Sequence, residues 1–312
     1  KGMIRTMAIG KTNNKHSLWK EIARNKDKYL MMLPFSLFFL LFTVISVIAA
    51  IVLSFTNFNL IERPEFVGWL NYSRMFLDDE VFPIVLRNTL IFAVITGPIS
   101  YIACLFIAWL INELPKALRT LMTLVFYIPS ISGTVFVVWS YIFSGDSSGF
   151  VNSMLMQSGI LNEPIQWLTD TRFSLIVIII VQLWASLGTS FLAFIAGLQG
   201  IDRSLYEAGQ IDGIRNRFQE LKYITLPSMG PQLMFAAVMQ IGASFAVSQV
   251  SIQLAGNPST DYAAATIVTH ILDHGTLRFE MGYACSIATV LFVAMVMLNS
   301  LIKKILMKYT AL

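Results

Sequence analysis

Charged side chains are scarce in this sequence: Asp, Glu, Lys and Arg supply 13% of its 312 residues, about half the share of an ordinary globular chain. That scarcity, with 56% hydrophobic residues, excludes a water-soluble domain and makes lipid the natural solvent. The net charge of +4 is too small to suggest a nucleic-acid partner. Cysteine is nearly missing too. Cys104 and Cys285 each lie in an apolar run with no histidine or acid beside them, so they read as small buried residues, with no disulfide framework or metal thiolate. No catalytic residue and no metal site is expected. The pattern Gly-x-x-x-x-Gly-Lys-Ser/Thr does not occur, so any ATP chemistry belongs to another chain. Sequence repeats, low-complexity segments and a soluble second domain are absent as well.

What is present is a set of long apolar runs. Six of them, near 29–57, 88–112, 121–143, 174–199, 232–255 and 281–302, exceed the about 20 residues that a helix needs to cross a hydrocarbon core. The first is too long for the core of a cleaved signal peptide and should remain as an anchor. The expected fold class is therefore all-α integral membrane with six transmembrane helices. Residues 1–28 form a basic polar segment in which Leu18, Trp19, Ile22 and Ala23 have helical spacing and should lie on the lipid surface. Residues 29–312 form one transmembrane domain. Orientation follows from the basic residues. The tail before the first span, Lys116 and Arg119, the stretch from Arg203 to Lys222, and the end from Lys303 to Lys308 hold all of the 22 but Arg63, Arg74, Arg87, Arg172 and Arg278. Positive residues stay inside, so both termini and the Arg203 loop are expected in the cytoplasm.

None of the six runs contains an Asp, Glu, Lys, Arg or His. An ionisable group at mid-membrane costs at least about 2.5–3.5 kcal/mol and is kept for ion or proton coupling. A proton-driven carrier and an intramembrane hydrolase are thereby disfavoured; sodium coupling through backbone carbonyls stays open. The polar residues inside the spans are uncharged. Gln182, Ser186, Thr189 and Ser190 recur at helical steps in the fourth span, and Gln240, Ser244, Ser248 and Ser251 in the fifth. Serine and threonine there serve helix packing equally well. Glutamine amides need more partners, which a water-filled path supplies. Gln182, Ser186, Thr189, Ser190, Gln240, Ser244 and Ser248 are the candidate pathway for a neutral polyhydroxyl solute, with Tyr127, Trp184 and Phe245 as possible stacking surfaces. In the external loops Trp167 reads as an interfacial anchor.

Between the fourth and fifth spans runs a polar stretch, EAGQIDGIRNRFQELKYITLPSMGP, from Glu207 to Pro231. Leu205, Tyr206, Ala208 and Ile211 can give a first helix an apolar face. Asp212-Gly213 provides a turn where glycine allows positive φ, and a second helix should end before Pro227. Glu207-Ala208, Asp212-Gly213, Ile224-Thr225-Leu226-Pro227 and Pro231, supported by Gly68-x-x-Asn71-Tyr72, Asn88-Thr89 and Gly282-Tyr283-Ala284, resemble the "EAA" loop and flanking spans of binding-protein-dependent carbohydrate ABC importer permeases. That group includes the maltose, glycerol-phosphate and uronate-oligosaccharide permeases. The likeness runs from the first span onward. Gly209 stands where the family has a second alanine, and Ile214-Arg215 make the following interval one residue longer than usual.

The resemblance implies a coupling loop over about 200–231. In it Glu207, Ala208, Gly209, Asp212 and Gly213 engage an ATPase cleft, and Glu207 pairs with a basic residue there. It implies a bacterial inner-membrane subunit that works with a second homologous permease, two ATPase subunits that bind ATP and magnesium, and a periplasmic solute-binding protein. No cofactor is held in this chain, and the N-terminal segment could also contact an ATPase. The substrate would be an oligosaccharide reached by alternating access, with alginate- or pectin-derived fragments the nearest impression. The external loops, with five basic residues against eleven acidic ones, do not favour a polyanion. A self-contained carrier or channel, a membrane scaffold, and an ABC permease for a non-sugar solute are the competing readings.

Overall fold

The computed structural model describes residues 25–133 and 135–309, so the stretch around Leu18–Ala23 lies outside the described residues. They divide into two compact units after Val52. In the first, helix α1 (Lys26–Leu53) has mean hydropathy 2.8 and buries none of its residues. Its turns widen at Leu40–Ile45, and Phe35–Phe39 and Phe38–Phe42 stack at 6.1 Å.

In the second unit the helices, in chain order, are α2 (Leu70–Leu77), α3 (Phe82–Asn112), α4 (Lys116–Ile131), α5 (Phe136–Ile142), α6 (Phe150–Gln157), α7 (Ser174–Ala185), α8 (Thr189–Gln199), α9 (Arg203–Ile211), α10 (Arg217–Glu220), α11 (Gly230–Phe245), α12 (Gln249–Ala255), α13 (Ile267–Leu272) and α14 (Met281–Tyr309). No strand occurs among the described residues; Thr56 and Phe66 make a single antiparallel bridge. That bridge explains why the first span stops at Leu53 and not near residue 57: Phe55 and Asn57 take backbone partners in the returning segment, Val67 and Glu65. The second span begins at Phe82, earlier than residue 88, because Pro83 suits a first helical turn.

Among the described residues five helical stretches are long and apolar enough to cross a membrane, and α4 with α5 makes a sixth if taken as one span bent by 82°. α3 packs on α8 and α11, which pack on each other, while α14 lies against α11 and α13. Small residues allow the close approach: a Cβ placed on Gly97 of α3 would meet the Ser244 hydroxyl of α11 at 3.5 Å. Val94, Ile102, Phe235 and Val296 on these helices are exposed apolar side chains, as suits a lipid surrounding.

The non-helical segments are knotted by buried polar side chains. Asn88, 2% exposed, donates to the carbonyls of Tyr262, Ala263 and Ala265 at 3.0, 3.1 and 3.0 Å, and Thr89 Oγ1 accepts from Ile267 N. Asn71 donates to Ser54 O and Thr56 O, both at 2.8 Å. Asn152 donates to Ser144 O, Asp146 O and Ile165 O, and its Oδ1 accepts from Trp167 Nε1 at 2.8 Å. Trp167 therefore acts as a loop tether through its ring nitrogen. Each unsatisfied buried polar group costs about 1–3 kcal/mol, so Asn88→Leu should lower the thermal midpoint of the purified chain by several degrees. An unchanged midpoint would show that these carbonyls find other partners.

At the end of α3 opposite its junction with α4, Asp79, Arg74, His270, His274, Glu280 and Tyr283 form one cluster. Asp79 Oδ2 meets His270 Nε2 at 2.8 Å and accepts from the Tyr283 hydroxyl. His274 Nδ1 meets Glu280 Oε2 at 2.6 Å, and Arg74 bonds both oxygens of that carboxylate. Burial works against ionisation of Asp79, but the Tyr283 and His270 hydrogen bonds outweigh it and bring its pKa to about 2. Glu280 is likewise held below the usual range, burial being outweighed by His274 and Arg74. For His274 burial prevails over the Glu280 contact and lowers the pKa.

Candidate functional site

Two places gather the residues singled out in the sequence. The first is the loop from Asp202 to Met229. Asp202 caps α9, its carboxylate accepting from Ser204 N at 3.0 Å, and this backbone hydrogen bond holds its pKa below the ordinary value. The helix closes where Ile214 N donates to Gly209 O at 2.9 Å. Gly213 there has φ +94°, a conformation that favours glycine. Asn216 caps α10 by accepting from Gln219 N at 2.8 Å.

The first helix has its apolar face, but Leu205, Ala208 and Ile211, spaced three residues apart, turn it outward, and Tyr206 alone leaves it. Tyr206 points inward, its hydroxyl 2.9 Å from Thr225 Oγ1. Leu205, Glu207, Ala208 and Ile211 are exposed, Ile211 to 87%. Gly209 is buried, and a Cβ there would lie 2.6 Å from Ile224 Cδ1 and 3.1 Å from Ile214 Cδ1. The glycine is thus a contact point between the two arms of the loop, a reason for it that helix propensity alone does not supply. Asp212 and Gly213 are exposed at the tip.

The second helix also departs from expectation. It does not end before Pro227 but widens over Leu221–Thr225 and continues through Leu226–Ser228. Pro227 has no N–H to give to the preceding turn, and the widening directly before it is where the helix accommodates that missing donor. Arg217 bonds Glu113 at 2.9 Å and Glu220 at 2.8 Å, and Phe218 meets Trp109 at 5.5 Å. These contacts join the loop to the end of α3; the hydrogen bond to Glu220 foremost, then the charge of Glu113, raise the Arg217 pKa. The one-residue longer interval gave no signal for them.

The second place is a cavity of about 440 Å³ lined by Ser130, Ser132, Gly133, Gln182, Ser248 and Gln249 among others. Three interrupted helical pairs meet there: α4–α5 between Ile131 and Phe136, α7–α8 at Ser186–Gly188, and α11–α12 at Ala246–Ser248. The continuous polar faces drawn along the fourth and fifth spans are therefore broken. Gln182 and Ser248 reach the cavity. Ser186 bonds within its own turn to Leu183 O, Thr189 is exposed at the start of α8, and Ser190 donates across to Ala236 O at 3.1 Å. Gln240 and Ser244 line a different space of about 580 Å³, an apolar groove among α3, α11 and α14. Ser251 is buried against Ala264 O. Of the aromatics, Phe245 is 8% exposed in the core, Trp184 meets Trp139 edge-on at 5.3 Å, and Tyr127 lines a third cavity with Arg119. Pro129, Gly133 and Gly188 marked two of the interruptions in the sequence; the break at Ala246–Ser248 has no such marker.

Irregular backbone at membrane depth is tolerated where it is enclosed by protein or lines a watery cavity. An open polar cavity ringed by serine hydroxyls and glutamine amides offers donors and acceptors without charge.

Residues 100–310 match the family of binding-protein-dependent transport system inner membrane components. The probable ABC transporter permease protein YesP of Bacillus subtilis (strain 168) is 33% identical over 288 residues, covering 90% of this chain and 91% of its own. The arabinooligosaccharides transport system permease protein AraP of the same organism is 28% identical, covering 91% and 90%. A crystal structure of a bacterial ABC transporter involved in the import of the acidic polysaccharide alginate superposes with TM-score 0.72 at 27% identity, covering 92% of this chain and 99% of that one.

Proposed function

The chain belongs to the family of binding-protein-dependent transport system inner membrane components, and from that premise we propose that it is one of two permease subunits of an ATP-driven oligosaccharide importer. The observation that carries the substrate class is the cavity of about 440 Å³ where three interrupted helices present Ser130, Ser132, Gln182 and Ser248. Uncharged hydroxyls and amides suit a polyhydroxyl solute. Half-helices around a central site are also the arrangement by which transporters switch access. The names of two similar proteins, arabinooligosaccharides for one and the acidic polysaccharide alginate for the other, support an oligosaccharide; alginate- or pectin-derived fragments are the narrower reading, and their carboxylates would need basic partners from the other subunits.

In this proposal the exposed face of α9, with Leu205, Glu207, Ala208 and Ile211, seats in an ATPase subunit, and two such subunits bind ATP and magnesium. The second permease closes the cavity from its open side, and a periplasmic binding protein delivers the solute. Both termini and the Glu207 loop face the cytoplasm. Binding protein and ATP must each favour the outward-facing state, because a ligand of equal affinity for both states shifts nothing.

The test is ATP hydrolysis by the complex reconstituted in lipid with binding proteins loaded with alginate, pectin or maltose fragments. Stimulation by one of them supports the reading and selects the sugar; stimulation by a loaded non-sugar binding protein alone overturns the substrate class. Within the chain, Gln182→Leu with Ser248→Leu should lower uptake at least about tenfold, the cost of leaving a solute's polar groups unpaired. Gln240→Leu with Ser244→Leu should change it far less. The opposite order would move the pathway to the α3–α11 side.

A further inference from the structure

We propose that Asp79, His270 and His274 form a binding site for a borderline divalent cation of the zinc type. Each offers one ligand atom, and these atoms lie within 4.8 Å of one another. His270 and His274 are four residues apart, on one side of the helical backbone that runs from α13 into the widened turn Asp273–Leu277, so both rings face the same neighbour. Asp79 comes from the corner between α2 and α3, nearly two hundred residues away in sequence. The two rings are 4% and 3% exposed, and their centroids are 4.5 Å apart at 80°. Buried imidazoles converging with a carboxylate are the donor set that zinc takes, three protein ligands leaving a fourth position for water.

The surroundings orient these ligands. His274 Nδ1 points to the Glu280 carboxylate at 2.6 Å, which places the ring hydrogen on Nδ1 and leaves the Nε2 lone pair for the ion. A carboxylate behind a ligating histidine is a common support for metal sites. Arg74 in turn bonds Glu280 through both oxygens and so fixes that carboxylate. On the other side the Tyr283 hydroxyl fixes Asp79 Oδ2. His270 Nε2 and Asp79 Oδ2 stand 2.8 Å apart; ligands on a tetrahedral zinc with bonds of about 2.0–2.1 Å stand about 3.3 Å apart. Entry of the ion opens this hydrogen bond by about half an ångström, and the hydrogen on His270 Nε2 passes to Nδ1 in the other neutral tautomer. The ion then joins the α2–α3 corner to α13.

Full-length chain in lipid nanodiscs, stripped with chelator, would be titrated with Zn²⁺ and, separately, Co²⁺. One Zn²⁺ per chain and visible Co²⁺ absorption bands are expected; no retention at micromolar free Zn²⁺, or no bands, overturns the site. His274→Gln and Asp79→Asn should each weaken Zn²⁺ by more than about 100-fold, beyond the about 10–100-fold expected for the supporting Glu280→Gln, whereas His16→Gln should leave affinity unchanged. Equal affinity in wild type, His274→Gln and Asp79→Asn would also overturn it. X-ray absorption of zinc-loaded wild type needs no variant to fold and should count two imidazoles. A count of none refutes the assignment.

Discussion

Glu207→Lys is expected to leave the protein inserted and its complex assembled while lowering ATP hydrolysis stimulated by loaded binding protein at least about tenfold. Glu207 is exposed on a helix whose start is fixed by Asp202 and whose inner side is fixed by Tyr206 and Gly209, so the substitution should not disturb the loop itself. Its effect falls on whatever the exposed face meets. A like charge brought against a basic partner costs several kcal/mol, and about 1.4 kcal/mol is a factor of ten. The measurement is stimulated against basal ATPase rate in the reconstituted complex. Normal stimulation would remove Glu207 from the coupling contact, while loss of the ATPase from the purified complex would make it an anchor.

Gly282→Ala is expected to be the most damaging single methyl group in the second unit. A Cβ at this position would stand 2.0 Å from Thr56 O, 3.0 Å from Thr56 C and 3.1 Å from Phe58 N. All three are backbone atoms, so no rotamer change relieves the collision. The Gly282 N–H also donates to Phe58 O at 2.8 Å, and separating the two segments would break that bond as well. The loss should reach at least about 3 kcal/mol, the upper end of ordinary overpacking, and appear as a large drop in thermal midpoint and yield. Gly242→Ala is the control: nothing lies within 4 Å of a Cβ there. Relief of a mid-helix glycine should make it neutral or stabilising by up to about 1 kcal/mol. If the two variants unfold alike, the close approach of α14 to the Thr56 segment is not what positions that helix.

Much of this architecture was legible because lipid imposes it. Apolar length alone located the membrane-crossing stretches, and the order of Glu207, Asp212-Gly213 and Pro227 located the loop. Interruptions were harder. Gly188 and Pro129 hint at breaks, but Ala246-Val247-Ser248 reads as ordinary helix, and only tertiary packing decides that it opens. For that reason the polar stripe from Gln240 to Ser248 looked continuous when it serves two different spaces. The side-chain knots were half visible. Asn71, Asn88 and Gly282 stood out by resemblance, yet nothing local says that Asn88 spans to Tyr262, because the partners are carbonyls and carry no sequence signature. The His270–His274 spacing is readable in the sequence but by itself points to no site, since Asp79 becomes its neighbour only once the chain has folded.

The Arg217–Glu113 ion pair and the Phe218–Trp109 contact change how the loop is mounted. By covalent connection alone it would hang from α8 and α11 like a strap with two ends. With the side contact to α3 it becomes a three-legged bracket, and α3 is the span against which α8 and α11 both pack. If the tip is pushed as proposed, all three legs would share the load, and the breaks at Ser186–Gly188 and Ala246–Ser248 are where the far halves would be free to follow at a different angle.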